Sequence, residues 1–256
     1  MTYNVHRCRG LDRVWSPERI AAVITSAHPD VVALQEVDVG RSRSGNVDQA
    51  LSIARALGMD VHFFPALKVM EELYGDAILS RWPAKIAKAE TLPYAKLPGL
   101  EPRGALWSSV CIRGVSVQVI NTHLSLFGRE RNRQVDALMG DNWLEHLECR
   151  GPVLLLGDFN ATPRSRTYRR ITQSLRDAYD ALDDRNRSSE ATFPTRYPSL
   201  RLDYIFVNSQ VNVLDVRTVR SPLAYLASDH LPVVAELAVS SSHATGGRLL
   251  SDLSGP

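Results

Sequence analysis

The chain has 256 residues, 44% of them hydrophobic and 23% charged, with a net charge of +2. That is enough apolar material for a sizeable core in an ordinary soluble α/β protein. The charge balance is too mild for a dedicated polynucleotide binder, and Cys8, Cys111 and Cys149 form neither a CxxC pair nor an even framework, which excludes a disulfide scaffold and a thiolate zinc site. No apolar run approaches the roughly 18 residues of a membrane span, and no basic-then-apolar leader precedes the first strand. The expectation is a cytoplasmic monomer, although the fold begins so abruptly that a native start further upstream is left open.

In chain order, MTYNVH reads as a short strand with Thr2, Asn4 and His6 on one polar face. Helical spacing follows at 17–27, with Ser16 as N-cap, Pro17 at the first helical position and Glu18 in the first turn. A strand is expected at VVALQ (31–35), a helix at 46–57 and a strand at DAILS (76–80). LWSSVCI (106–112) and VSVQVIN (115–121) form a hairpin through Arg113-Gly114, so the sheet cannot be all parallel. A helix over 129–147 and strands at VLLLGD (153–158), LDYIFV (202–207) and LPVVAEL (231–237) complete the pattern, a mixed α/β sandwich rather than a doubly wound fold. Residues 1–239 are read as one domain, and SSSHATGGRLLSDLSGP (240–256) as a disordered Ser- and Gly-rich tail.

Nearly every strand runs into a carboxylate, an amide or an imidazole: Glu36 after VVALQ, His123 after VQVINT, Asp158 and Asn160 at the end of VLLLG, Asp203 at the start of DYIFV, and Asp229-His230 before LPVVAEL. Loops at one edge of a sheet gather such groups from distant positions. Glu36, Asp158 and Asp229 with the amides Asn4 and Asn160 make an all-oxygen set that suits Mg²⁺ or Mn²⁺ rather than zinc. His123 and His230 can serve as acid, base or donor to a transition state, and Asp203 can orient one of them. Together these residues suit hydrolysis of a phosphate ester. Each alone has a plainer reading, since an aspartate at a strand end is commonly a turn or cap residue.

TYNVH, LQEV, YGDAILSR, EPRGAL, NTHLS, GDFNATP, RLDYIFV and SDHLPV, in that order, resemble the endonuclease/exonuclease/phosphatase superfamily of metal-dependent phosphoesterases, which includes DNase I, neutral sphingomyelinases and inositol polyphosphate 5-phosphatases. The likeness runs from residue 2 to about residue 237. It implies a four-layer α/β sandwich, two mixed sheets packed face to face with helices outside. It implies Glu36 as principal metal ligand, with Asn4 and Asp229 near the same or a second metal position. Asp158 would position or deprotonate water, Asn160 hold a phosphate oxygen, His230 contact the phosphoryl group with Asp203 fixing its tautomer, His123 protonate the leaving oxygen and Arg103 bind phosphate. His6 would face the same cleft, as catalytic or merely supporting; Asp76 departs from the asparagine common in relatives.

The substrate is less legible. RSRTYRR (164–170) and RERNR (129–133) are either a polyanion-binding track or solvated helix faces. The aromatic and proline-rich loop Phe193 to Pro198 is a pocket wall or ordinary loop core, and Leu124–Phe127 an apolar rim or a staple for the next helix. The leading expectation is a Mg²⁺- or Mn²⁺-dependent phosphodiesterase acting on a small or lipid-linked diester. A DNA or RNA nuclease is the alternative within the same chemistry, and a non-catalytic phosphate-binding module the alternative outside it.

Overall fold

The structure, a computed structural model, describes residues 1–96, 100–182 and 190–239, so the tail expected at 240–256 lies outside the described residues. One six-stranded sheet is built from β1 (Thr2–Asn4), β2 (Val31–Val39), β3 (Asp60–Val69), β4 (Glu72–Ser80), β11 (Val211–Thr218) and β12 (Val233–Val239), in the order β11-β12-β1-β2-β4-β3. The other holds β5 (Ala84–Thr91), β6 (Gly104–Ile112), β7 (Val115–His123), β8 (Val153–Asp158), β9 (Arg176–Asp177) and β10 (Asp203–Val207), in the order β5-β6-β7-β8-β10-β9. Both are mixed: β1 runs parallel to β2 and antiparallel to β12, while β7 runs parallel to β8 inside an otherwise antiparallel sheet.

Period-two alternation builds the layers. Along β8, Leu154 and Leu156 join the core between the sheets, while Val153 and Leu155 join a second core on the outer face; β10 repeats this with Ile205 and Val207 inward and Tyr204 and Phe206 outward. Strands buried on both faces read as unbroken apolar runs, which is why VLLLG and YIFV carry no polar alternation. The outer core is closed by α3 (Gly128–Leu138) and α4 (Arg166–Ile171), and the first sheet is covered by α1 (Pro17–Ala27), α2 (Gln49–Leu57) and α5 (Pro222–Ala227). The result is helix, sheet, sheet, helix: the four-layer α/β sandwich.

Helix starts follow capping chemistry. Ser16 Oγ accepts from Arg19 N–H at 3.1 Å, and Asp48 Oδ1 from Leu51 N–H at 2.9 Å. The second of these moves the start of the helix expected at 46–57 to Gln49. The helix expected over 129–147 stops at Leu138, because Gly140, Asp141 and Asn142 favour turns over helix. The strand expected through His6 ends at Asn4; His6, Arg7 and Cys8 then take left-handed backbone (φ 45°, 59° and 57°). Each such residue costs about 1–3 kcal/mol and persists only where its surroundings over-determine it. Here Cys8 N–H donates to Val5 O at 2.8 Å, and Gln49 Nε2 to Arg7 O at 2.6 Å.

A buried polar bridge sets the two sheets in register below the site. Gln35 Nε2 donates to Asn121 Oδ1 at 2.7 Å across the interior, and Asn121 Nδ2 donates to the carbonyls of Leu34 (2.8 Å) and Ala77 (2.9 Å). Gly157, opposite Thr122 in the β7–β8 ladder, has φ 149°, and a Cβ there would lie 1.9 Å from Thr122 O. Gly157→Ala is therefore expected to destabilise the protein by about 3–5 kcal/mol in a urea titration, from overpacking against backbone plus a φ that L-residues avoid. It would also shift Asp158, the next residue.

Candidate active site

The ends of β1, β2, β7, β8 and β10 and the segment before β12 converge on one cleft. Asn4 is its hub: fully buried, it donates through Nδ2 to Glu36 Oε1 (3.1 Å) on its own sheet and to Asp158 Oδ2 (2.9 Å) on the other, while its Oδ1 accepts from His6 N–H (3.0 Å). Glu36 reaches it from a bulge. The β2–β4 register slips between Leu34 and Val37, and Glu36 sits there at φ 59°, turned out of the ladder. Asp158 ends β8; its Oδ1 accepts from Asn160 N–H at 2.9 Å, with Asn160 itself at φ 48°, a conformation asparagine tolerates.

His230 lies between two carboxylates, with Nδ1 2.9 Å from Asp203 Oδ2 and Nε2 3.7 Å from Asp158 Oδ2. Its ring packs on Phe193, centroids 4.8 Å apart, which sets the first residue of the Phe193–Pro198 loop against the cleft. Ser228 fixes the backbone beneath, donating to Asn4 O at 2.8 Å and accepting from His230 N–H at 3.3 Å. The serine of SDH was the available signal for this clamp, and the sequence reading passed over it.

His123 faces Arg103 Nη1 through Nδ1 at 3.1 Å. A guanidinium can only donate, so Nδ1 accepts and the proton of the neutral ring sits on Nε2, 3.5 Å from Asp158 Oδ2. Asn160 Nδ2 lies 3.0 Å from that Nε2, a contact of two donors and not a hydrogen bond, and donates to Leu124 O at 2.9 Å. Arg103 also reaches Glu101 at 3.4 Å. The structure therefore joins Asn4, Glu36, Arg103, His123, Asp158, Asn160, Asp203 and His230. His6, although off the strand, brings Nδ1 to 3.6 Å from Asp229 Oδ1 at the edge of the same cleft.

Charge in the cleft is unbalanced: Glu36, Asp76, Asp158, Asp203 and Asp229 against Arg103 and His230. Burial pushes the Asp158 carboxyl up to about 7, with Asp203 adding and the His230 charge opposing. Burial works against a charged His230, but Asp203 and Asp158 outweigh it and raise the imidazolium to about 10. His123 is held well below the usual histidine range by burial, then by Arg103 and His230. Asp76, opposite the bulge, is raised to about 8 by burial, with Arg103 opposing and Glu36 and Asp158 adding.

A raised carboxyl binds its proton more tightly folded than unfolded, so its stabilisation is full below about 4 and is lost as pH rises to about 8. Asp76→Asn removes that loss: metal-free protein is expected to gain stability at pH 8 and above, and thermal melts of the variant to flatten between pH 4 and 8.

Among the described residues, the one three-residue group of histidine, cysteine or carboxylate atoms within 4.8 Å of one another is Asp158, Asp203 and His230. A protonated His230 bonded to Asp203 has no lone pair to offer a cation. Glu36 and Asp229 have the donor chemistry for one: hard oxygen donors, neither ion-paired to Arg or Lys among the described residues, in a cleft of excess negative charge. Asn4 Oδ1 keeps one lone pair beside them.

The family model described as Endonuclease/Exonuclease/phosphatase family matches residues 1–230. The Escherichia coli protein YbhP is 28% identical over 252 residues, covering 93% of this chain and 94% of its own. Among solved structures, an endonuclease/exonuclease/phosphatase from Beutenbergia cavernae superposes with a TM-score of 0.72 at 24% identity, over 93% of this chain and 70% of that one. A mannosyl-6-phosphatase of Bacteroides thetaiotaomicron superposes with a TM-score of 0.71 at 21% identity, over 93% of this chain and 98% of that one. With the DNase I-like sandwich and the converging motifs in place, the chain belongs to the endonuclease/exonuclease/phosphatase family, whose members hydrolyse phosphoesters.

Proposed function

We propose that the chain is a divalent-metal-dependent phosphodiesterase acting on a small or lipid-linked diester. The observation that carries this is Asp158: a buried carboxylate, oriented by Asn4 and Asn160 and raised to about 7, is a general base matched to neutral pH. Asp158 takes the proton of the attacking water as the water oxygen bonds to phosphorus and the bond to the leaving oxygen, on the opposite side, breaks; the leaving oxygen departs as its anion and takes a proton from solvent. His230, kept charged by Asp203, offers its Nε2 proton to the phosphoryl oxygens as negative charge builds there. His123, neutral with its proton on Nε2, is a hydrogen-bond donor rather than a strong acid for the leaving oxygen. Mg²⁺ or Mn²⁺ on Glu36 and Asp229, with Asn4 alongside, would neutralise phosphoryl charge.

A diester carries one negative charge where a monoester carries nearly two at neutral pH. With Asp76 holding its proton near neutral pH, the carboxylates Glu36, Asp158, Asp203 and Asp229 still outnumber Arg103 and His230, which favours the diester. Three of the seven arginines in the basic runs are engaged within the fold, which weighs against a polynucleotide track. Arg170 pairs with Asp136 at 3.4 Å, Arg133 with Glu130 at 3.2 Å, Arg131 donates to the carbonyls of Ser125 and Leu126, and Tyr168 is buried. The test is hydrolysis of bis(p-nitrophenyl) phosphate against p-nitrophenyl phosphate with Mg²⁺, Mn²⁺ or EDTA. Metal-dependent diester cleavage supports the proposal. Monoester cleavage alone replaces it with a phosphatase, plasmid cleavage that far outpaces the small diester with a nuclease, and binding of phosphate without turnover with a non-catalytic module.

A further inference from the structure

The left-handed turn at 6–8 leads into a small hairpin, closed by an Arg9–Trp15 bridge and by Gly10 N–H to Val14 O at 2.9 Å. Its tip and flank expose Leu11 (45%), Val14 (51%) and Trp15 (41%). The hairpin is pressed against α5: Leu11 N–H donates to Leu226 O at 2.9 Å, and a Cβ on Gly10 would lie 2.7 Å from the same carbonyl. Leu223 (37%) and Leu226 (38%), one turn apart on that helix, extend the apolar surface. The Leu11–Leu226 bond joins the exposed apolar residues of the hairpin to those of α5, and apolar side chains exposed together rather than singly mark an interaction site.

The unpaired charges beside it are mainly basic, Arg9 and Arg13 against Glu18. Arg9 stacks over Trp15, its guanidinium carbon 5.1 Å from the ring centroid, and neither Arg9 nor Arg13 has a carboxylate partner among the described residues. Asp12 is neutralised by a two-pronged pair with Arg19 (3.0 and 2.9 Å), and Glu18 accepts from Ser16 Oγ. Tryptophan and leucine edged by arginine is the composition of a surface that lies in the headgroup region of a bilayer.

We propose that this hairpin and α5 form a docking surface for an anionic lipid bilayer. A stable interface with a second copy of the chain uses about 20–30 residues a side, far more than these five apolar side chains. Among the described residues no helix is long and apolar enough to cross a membrane, so the surface rests on the bilayer. Its position gives it a purpose. The hairpin starts directly after His6–Cys8, and α5 ends at Ala227, just before Ser228, Asp229 and His230, so docking sets the cleft beside the headgroups. That consequence, access to a lipid-borne phosphodiester, rests on the phosphodiesterase reading; the docking does not.

The test is co-sedimentation of the full chain with vesicles of phosphatidylcholine alone and of phosphatidylcholine mixed with phosphatidylglycerol. The wild type is expected to pellet with the anionic vesicles and to be released by salt. The Leu11→Asp/Leu226→Asp variant is expected to stay in the supernatant, and Arg9→Gln/Arg13→Gln to bind anionic vesicles roughly tenfold more weakly. Hydrolysis of soluble bis(p-nitrophenyl) phosphate is expected to be unchanged in both variants, which shows that they fold. Vesicle binding by a wild type that hydrolyses no diester would sink the phosphodiesterase reading and leave the docking surface standing. A wild type that ignores anionic vesicles, an aspartate variant that still pellets, or a dimer that the aspartate variant converts to monomer overturns the proposal.

Discussion

Asp158→Asn is expected to lower kcat for the diester by about a hundred- to ten-thousand-fold, the usual worth of a positioned general base, without unfolding the protein. The change keeps one oxygen that can accept from Asn4 Nδ2 (2.9 Å) or Asn160 N–H (2.9 Å), gives up the other of these two bonds, and removes the capacity to take a proton. It also removes a carboxyl whose pKa burial has pushed to about 7, so metal-free protein above that pH is expected to melt no earlier than wild type. Steady-state kinetics separate the chemical role from a binding role. A general base lost leaves KM nearly constant while kcat collapses. A variant that keeps most of its kcat and loses affinity would show that Asp158 only orients groups around it.

Much of this site was legible because its residues sit where strands end, and strand ends are marked by a change from apolar run to polar motif. VLLLG into Asp158 and YIFV after Asp203 stand out since β8 and β10 are buried on both faces. Edge strands gave no such contrast: β5 reads AKIAKAET, largely exposed, and β3 carries Pro65 at a register slip. The fold was therefore readable from its centre, and β3, β5, β9 and β11 were not anticipated.

His6 shows the other limit. Strand periodicity placed it on the Asn4 face, whereas three left-handed residues carry it to Asp229 by a turn. Local bonds hold only part of that turn, His6 N–H to Asn4 Oδ1 and Cys8 N–H to Val5 O, whereas Arg7 O is held by Gln49, over forty residues away. The electrostatics were hidden for the same reason. A motif can name Asp76, but that it is raised to about 8 follows from burial beside Glu36 and Asp158, which sequence separation conceals.

Asp203→Asn is expected to reduce kcat by a factor comparable to His230→Ala, again about a hundred- to ten-thousand-fold, and the double variant to lose little more than either. The carboxylate of Asp203 lies 2.9 Å from His230 Nδ1 and is fully buried, so it has no solvent to share its charge with. An asparagine there neither fixes the ring with the same strength nor sustains the imidazolium against burial. The pH profile is the readout that a merely structural role would not move. In wild type, activity requires Asp158 ionised and His230 protonated, so it rises through about 7 and falls through about 10. Without the Asp203 charge, His230 loses its proton at lower pH and the alkaline limb shifts down, while the acid limb also moves down because Asp203 no longer raises Asp158. If the limb stays in place, or if the losses of the two single variants multiply in the double, Asp203 and His230 do not act as a unit.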